Sequence, residues 1–518
     1  MNTFYEYYRA KTDGLGDYIA FQHDFRDHMR SEMLGQIDSL SAYFSQRIGL
    51  KTGDVYTLLM PTVIEGIILF FALNKIGVIV NFVHPQVPPK ALAQILKDTS
   101  SKGVAVHEMM ASDYSKVIAE AGIPEFSCPR GDYASALKYR GDVLKVEATR
   151  DSVALYLQGG GTTGKSRTIM LTNENLMSFC DIYCQQLGIT AYPGIDTSIN
   201  CMPLFHCYGL LGASFMPMCR GVRMVFLPKF DAAVFIKLMK LNHVTMIRGV
   251  PNMFRKLLAN SEWDGPHLGN LVSIVSGGDS LSATLRGEID YTLSKNQSRA
   301  RIKQGYGLTE CCGAVMNTPP DGPADDTIGR PFSCNRIEIW GADHKALPEG
   351  EIGEIVVSGP TVMKGYLSPR HMDNVGVYRD GSGRRWMLTG DLGYKKGEYF
   401  YFSGRRKRLI IISGYNIYPL DVEKAIRNLP FVKESCAVQG FDEQGKVLVR
   451  LFVVRQNNGV FNEHDAREKI FAACRLALNR LAVPRDVRFV KDLPRTRVGK
   501  VDFMRLTQLK PSDQVYSV

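Results

Sequence analysis

From Gly53 to His107 the hydrophobic pattern changes period repeatedly, and few folds accommodate that. Val55 to Leu59 reads as a short apolar strand. Pro61 is a helix-start signal, and Val63 to Leu73 reads as a strongly apolar helix. Gly77 to Val83 supplies another strand, Leu92 to Asp98 a helix and Gly103 to His107 a third strand. Strands that alternate with helices pair in parallel, and the helices must then cover the sheet faces. The alternation resumes with strands at Ser198 to Met202, Val222 to Phe226, Val244 to Gly249 and Leu271 to Val275. Helices at Asp231 to Leu241, Pro251 to Leu258 and Leu281 to Leu293 lie between or after them. The expectation is a largely parallel, layered α/β fold. Met1 to Leu50 reads as mostly helical. A chain of 518 residues that is 45% apolar can bury more than one core.

The chemistry gathers around Gly159 to Thr172, GGGTTGKSRTIMLT, which comes after the apolar run Val153 to Leu157. Three successive glycines let backbone N–H groups approach an anion closely. Thr162 and Thr163 add hydroxyls, and Lys165 and Arg167 add charge. Either a triphosphate cradle or a glycine-rich hairpin between two strands fits these residues. Gly159, Gly164, Lys165 and Ser166 also match the Walker pattern, which requires a helix beginning at the lysine. Arg167 to Leu171 is instead a short extended run with a β-branched bias. The helix starts later, with Thr172 or Asn173 as the cap for Glu174 to Cys184.

Composition narrows the classes. No apolar run is long enough to span a bilayer, and MNTFYEYYRAKTDG has no signal-peptide core. Eleven cysteines are scattered without paired metal spacing, which suggests reduced thiols and a cytoplasmic protein. The formal charge of +11 suits anionic partners without choosing among nucleotides, coenzyme A, an acidic carrier protein or nucleic acid. No Cys/His finger or other specific nucleic-acid motif is present, so no nucleic-acid partner is expected.

The loop Gly161, Thr162, Thr163, Gly164 resembles the phosphate-loop signature of the adenylate-forming enzymes: acyl-CoA synthetases, aryl-CoA ligases, luciferases and peptide-synthetase adenylation domains. Their usual form is G-T-T-G-x-P-K-G. Ser166 and Arg167 stand where proline and lysine are usual, and Thr168 replaces the last glycine. Further segments carry the resemblance along nearly the whole chain. Gly53–Asp54 and Lys75–Gly77 match the family's N-terminal region. Pro203 to Gly209, PLFHCYG, resembles the segment whose histidine borders the acyl pocket, which assigns His206 to the substrate site. Gly277, Gly278 and Asp279 resemble a G-G-A segment beside the adenine. Ile302 to Glu310, IKQGYGLTE, matches Y-G-x-T-E.

The resemblance implies specific roles. Tyr306 lies against adenine, Thr309 contacts phosphates and Glu310 holds Mg²⁺, a hard cation that takes oxygen ligands. In WMLTGDLGY, Asp391 accepts from the ribose hydroxyls, and Arg405 is a second ribose and phosphate contact. Lys407 occupies the hinge, with Arg408 in place of the more usual acid beside it. Gly414 borders the pantetheine channel. Pro494 to Lys500 resembles the C-terminal P-R-T-x-x-G-K loop, and Lys500 is the candidate catalytic lysine.

The implied architecture is a large N-terminal layered α/β adenylating domain, residues 1–406, with a β-rich subdomain around Ile337 to Leu367. A small mobile C-terminal α/β domain, residues 407–518, completes it. The implied reaction uses ATP and Mg²⁺ to activate a carboxylic acid, a fatty acid ahead of an aryl acid, as an acyl-adenylate. The acyl group then passes to coenzyme A. Loading of a separate carrier protein and a catalytically degenerate homologue are the alternatives. A stand-alone synthetase is expected, since no carrier domain follows Val518.

Overall fold

The computed structural model describes all residues except 24, 144–145, 160–166, 188–190, 320–321, 324–325, 369–375, 414, 457–460, 497–500 and 510–518. The chain divides into two compact units. One comprises Met1–Glu338, Val356–Thr389 and Glu398–Phe400. The other comprises Ile339–Ile355, Gly390–Gly397 and Tyr401–Val518.

The first unit is built on two sheets. A seven-stranded sheet runs in the order Gly365–Tyr366, Arg167–Thr172, Val153–Gly159, Ile79–Phe82, Val55–Leu59, Ser101–His107, Glu125–Cys128. Its strands from Val153–Gly159 to Glu125–Cys128 are parallel, as the strand–helix alternation requires. Arg167–Thr172 returns antiparallel to Val153–Gly159. In the second sheet Ile302–Leu308, Ser273–Ser276, Val244–Gly249, Thr197–Asn200 and Arg223–Phe226 are neighbours in that order, all parallel. Gly313–Asn317 and Thr327–Pro331 continue it antiparallel beyond Ile302–Leu308.

Helix Ile64–Lys75 is apolar all round because it is enclosed. Ile67 to Leu73 are all buried, and the Phe70 ring lies 4.6 Å from that of Phe215. Helix Asn173–Leu187 begins with a reciprocal cap: Asn175 Oδ1 accepts from the Thr172 amide at 2.9 Å, and Thr172 Oγ1 accepts from the Asn175 amide at 3.2 Å. Asn173 instead ties down the N-terminus, its Oδ1 accepting from the Phe4 amide at 2.9 Å.

The first fifty residues are mostly helical, in Phe4–Thr12, Arg30–Ala42 and the turns that follow them, but Ile19–His23 and Arg26–Met29 form a hairpin between these helices, and its first strand joins Arg223–Phe226 in parallel. Phe21, buried within that hairpin, is in register with Met224. Asp391 lies within the long strand Arg385–Lys396.

The second unit packs helices Pro419–Ile426 and Glu463–Ala477 with strands Val432–Phe441, Val447–Arg455 and Asp486–Val490. The core includes Val422, Ile426, Leu451, Val453 and Ile470. Within this unit a short hairpin pairs Ile410–Ile412 with Tyr415–Ile417. Among the described residues no helix is long and apolar enough to cross a membrane.

Candidate active site

In the first unit, Val153–Gly159 and Arg167–Thr172 pair so that Gly159 faces Arg167. The signature glycines and threonines, Gly161 to Gly164, lie outside the described residues between these strands. The loop leads into a strand, as the β-branched run implied, and not into the helix that the Walker pattern needs. Arg167 places its guanidinium over the Tyr366 ring, 5.4 Å from the centroid. The Tyr366 hydroxyl donates to Glu310 Oε1 at 2.9 Å. Burial, and then the Glu310 charge, push the Tyr366 phenol well above its ordinary range, so it remains a donor. Arg167, Tyr366 and Glu310 therefore form one linked cluster.

Glu310 sits where strand Ile302–Leu308 gives way to a single helical turn, Thr309–Cys311, before the chain reverses into Gly313–Asn317. The reversal is tight. A Cβ on Gly307 would stand 1.7 Å from the Gly313 carbonyl oxygen, so only glycine fits. The Met363 amide donates to the Glu310 carbonyl at 2.8 Å.

Thr309 is joined to the histidine segment: Cys207 Sγ donates to its Oγ1 at 3.5 Å. His206 comes after the break at Pro203, its amide donating to the Pro203 carbonyl at 3.1 Å. Its Nδ1 accepts from the Tyr208 amide at 3.2 Å, which assigns the proton to Nε2 in the neutral ring. The Tyr208 hydroxyl donates to the Val275 carbonyl at 3.0 Å, and a Cβ on Gly277 would meet the Tyr208 ring at 3.3 Å. The exposed Gly278 is next, with φ +78°, a conformation that favours glycine. Tyr306, half-buried, is in register with Met316. His206, Gly278, Tyr306, Thr309 and Glu310 thus belong to segments held together at the strand ends by Cys207 and Tyr208.

In the second unit, Asp391 is 7% exposed and pairs with Arg405, Nε to Oδ1 at 3.1 Å. The two residues assigned to the ribose are therefore neighbours. Arg406 pairs with Glu354, which also accepts from the Gly390 amide at 2.7 Å and so anchors the strand beside Asp391. Lys407 is exposed within the turn Arg406–Arg408. Arg408 turns inward to the Glu423 carboxylate and the Ala437 carbonyl, 3.1 Å away, with the Phe503 ring 5.3 Å from its guanidinium. Gly414 and Lys500 lie outside the described residues. The segments flanking Lys500 return to each other, since Arg495 bridges Val501 and the Asp502 amide donates to the Pro494 carbonyl at 2.7 Å.

Residues 9–367 match the family model described as AMP-binding enzyme, and residues 421–500 match the AMP-binding enzyme C-terminal domain. The chain belongs to the AMP-binding enzyme family. It has the two-domain α/β architecture of the adenylate-forming superfamily. Among curated relatives of this AMP-binding enzyme is a long-chain-fatty-acid–CoA ligase of Escherichia coli, 26% identical over 501 residues, covering 89% of this chain and 86% of the relative. A sulfoacetate–CoA ligase of Cupriavidus necator is 28% identical over 473 residues, covering 88% of each. Among solved structures, ATP-bound MatB from Rhodopseudomonas palustris superposes with a TM-score of 0.87 at 25% identity, covering 98% of this chain and 99% of that one.

The side chain that sequence reasoning passes over in this AMP-binding enzyme is Tyr366. It is legible only as the tyrosine of a matching G-Y segment. Its link to Glu310 depends on strand Gly365–Tyr366 pairing with Arg167–Thr172, with Tyr366 opposite Ile169. That pairing joins residues nearly two hundred positions apart, which no local pattern carries.

Proposed function

We propose that this chain uses ATP to convert a carboxylic acid into an acyl-adenylate and then passes the acyl group to the thiol of coenzyme A. The observation that supports it most directly is the cluster of Arg167, Tyr366 and Glu310 at the end of the phosphate-loop hairpin, in a chain matching both family segments. A carboxylate is a poor acyl donor because its oxygen leaves badly. In the proposed reaction a carboxylate oxygen attacks the α-phosphorus of ATP and pyrophosphate leaves. Two anions must meet, so fixed positive charge at the developing transition state has the most to contribute.

Lys500 is assigned that role, bridging the acid oxygen and the α-phosphate. Gly161, Thr162, Thr163, Gly164 and Arg167 receive the departing phosphates, with Thr309 beside them. Asp391 and Arg405 hold the ribose, and Tyr306 and Gly278 border the adenine. His206, proton on Nε2, orients the acid. Glu310 fits a Mg²⁺ ligand: Tyr366 engages one carboxylate oxygen, and a single protein carboxylate with substrate phosphates is a usual Mg²⁺ arrangement. Bound there, the ion would share the negative charge of the phosphates. The proposed mobile domain begins at Lys407, with Gly414 bordering the thiol channel, and it reorients between the two half-reactions.

In sequence, Phe205, Tyr208 and Leu210 favour a fatty acid. Leu210 is fully buried and the Phe205 ring lies 4.2 Å from that of His84, so both are engaged within the fold. The names of the relatives offer both long-chain fatty acids and a small sulfonated acid. ATP–pyrophosphate exchange across panels of acids, together with product analysis with coenzyme A or holo carrier protein, tests the reading. Exchange dependent on a carboxylic acid, and a thioester formed with coenzyme A, are expected. Acyl transfer to carrier protein alone would replace the acceptor, and absence of exchange with every acid would leave the degenerate-homologue reading.

A further inference from the structure

A buried cation lies on the sheet face that carries the histidine segment. Ile247 is in register with Ile199 on one side and Ile274 on the other, and all three pack in the core with Phe235, Phe254 and Leu285. Side chains alternate along a strand, so Asn200 and Arg248 emerge on the opposite face. Asn200 Nδ2 donates to the Gly209 carbonyl at 3.0 Å and to Ser214 Oγ at 2.7 Å. That face is therefore the one covered by Tyr208–Phe215, directly after His206. Arg248 is in register with Val275, and Val275 with Lys303. The guanidinium and the ammonium thus share this face with one valine between them.

Arg248 is 1% exposed. Its Nη1 donates to the carbonyls of Ile247 at 3.2 Å and Ser273 at 3.5 Å. Its Nε and Nη2 meet no acceptor among the described residues, and Arg248 forms no ion pair among them. Ser273, two positions before Val275 and so on the same face, is buried with its Oγ equally without a partner among the described residues. Burial, and then the charge of Arg248, hold the Lys303 amine below its ordinary range. An unpaired buried charge is strongly unfavourable unless something supplies the missing acceptors.

We propose that Arg248, with Lys303 and Ser273, binds the far end of the acid substrate, and that this end carries a second oxyanion, a carboxylate or a sulfonate. The inference rests on the reading of the chain as an acid-activating ligase and names its substrate class. The planar fork of arginine suits either oxyanion. Lys303 precedes Tyr306 by three strand positions, about 10 Å of rise, which suits a short acid charged at both ends rather than a long apolar tail.

The test compares wild type with Arg248→Met and Arg248→Lys. The probes are succinate against butyrate, glutarate against valerate, and 3-sulfopropionate to separate sulfonate from carboxylate. ATP–pyrophosphate exchange gives kcat/KM, and thermal unfolding reads binding without turnover. Wild type should favour the doubly charged acid of each pair by about tenfold or more, the scale of one lost charge-assisted bond. Arg248→Met should abolish or reverse that preference while unfolding at no lower temperature, since it removes an unpaired buried charge. Succinate or 3-sulfopropionate should raise the unfolding temperature of wild type and not of Arg248→Met. If Arg248→Met does not fold, Arg248→Lys, which keeps charge but loses the fork, should still lower the succinate-to-butyrate ratio. A wild-type preference for butyrate and valerate, or an unchanged ratio in either folded variant, overturns the proposal and leaves the ligase reading intact. Stabilisation by succinate that requires Arg248, with no exchange for any acid, supports the anion site and removes the ligase reading.

Discussion

Replacing Tyr366 by phenylalanine isolates one contact and leaves the rest of the cluster standing. The ring remains, so Arg167 keeps the aromatic face that now lies 5.4 Å from its guanidinium. The substitution removes the hydroxyl that donates to Glu310 Oε1 at 2.9 Å. Tyr366 is buried and Glu310 half-buried, so this bond is partly shielded from water. A hydrogen bond to a charged group contributes about 1.5–3 kcal/mol, and partial solvent access places this one near the lower end. If Glu310 holds Mg²⁺, the hydroxyl fixes the orientation of a ligand. Loss of such an orienting partner costs roughly 10–100-fold in metal affinity, with about tenfold expected at a half-exposed carboxylate. Pyrophosphate release should be measured over a Mg²⁺ titration at saturating ATP and acid. The expected result is a higher Mg²⁺ requirement for Tyr366→Phe, with the maximal rate recovered at high Mg²⁺ and the apparent KM for acid unchanged. A Mg²⁺ curve superimposable on wild type would refute the positioning role. A uniform fall in rate at every Mg²⁺ concentration would refute it as well.

Lys500→Ala should lower pyrophosphate release by roughly 10²-fold or more while sparing thiolysis of preformed acyl-adenylate; equal loss of both steps in folded protein would contradict the assignment. Arg167→Ala should raise the apparent KM for ATP, and Arg167→Lys should keep much of the activity because charge matters before fork geometry; steady-state ATP titrations decide it. Asp391→Asn should raise the KM for ATP by about tenfold, read against a deoxyribose analogue that it should no longer discriminate. Arg408→Leu should destabilise the protein by about 3–5 kcal/mol by leaving Glu423 unpaired. Burial already holds the Glu423 carboxyl above its ordinary value, and without Arg408 it rises further. A raised pKa means the folded state binds the proton more tightly, so stability of the variant should fall as pH rises through the range above the ordinary glutamate value. Denaturant melts at several pH values measure this.

The parallel core was legible because burial on both faces leaves a continuous apolar signal. Val55–Leu59 and Pro251–Leu258 have the limits read from sequence. The N-terminal hairpin was not legible, because Ile19–His23 is stabilised by a partner two hundred residues away. The site divided in the same way. Glu310, Asp391 and Arg405 stood out through their local motifs, and Asp391 and Arg405 do pair. Tyr366 did not, since its significance arises from antiparallel pairing with Arg167–Thr172. Arg248 was read only as part of an apolar strand, because alternation reveals which face a residue takes and not whether anything on that face will neutralise it.

The departures from the family pattern carry a further argument. Arg167 stands where lysine is usual, and its flat guanidinium lies over the Tyr366 ring. Arg408 stands where an acid is usual, and it meets Glu423, the Ala437 carbonyl and the Phe503 ring. Each of these two arginines is accommodated inside its own unit. Arg248 is more deeply buried than either, and two of its three nitrogens lack an acceptor among the described residues, against one in Arg408. The far oxyanion of a doubly charged acid would supply the acceptors that those two nitrogens lack.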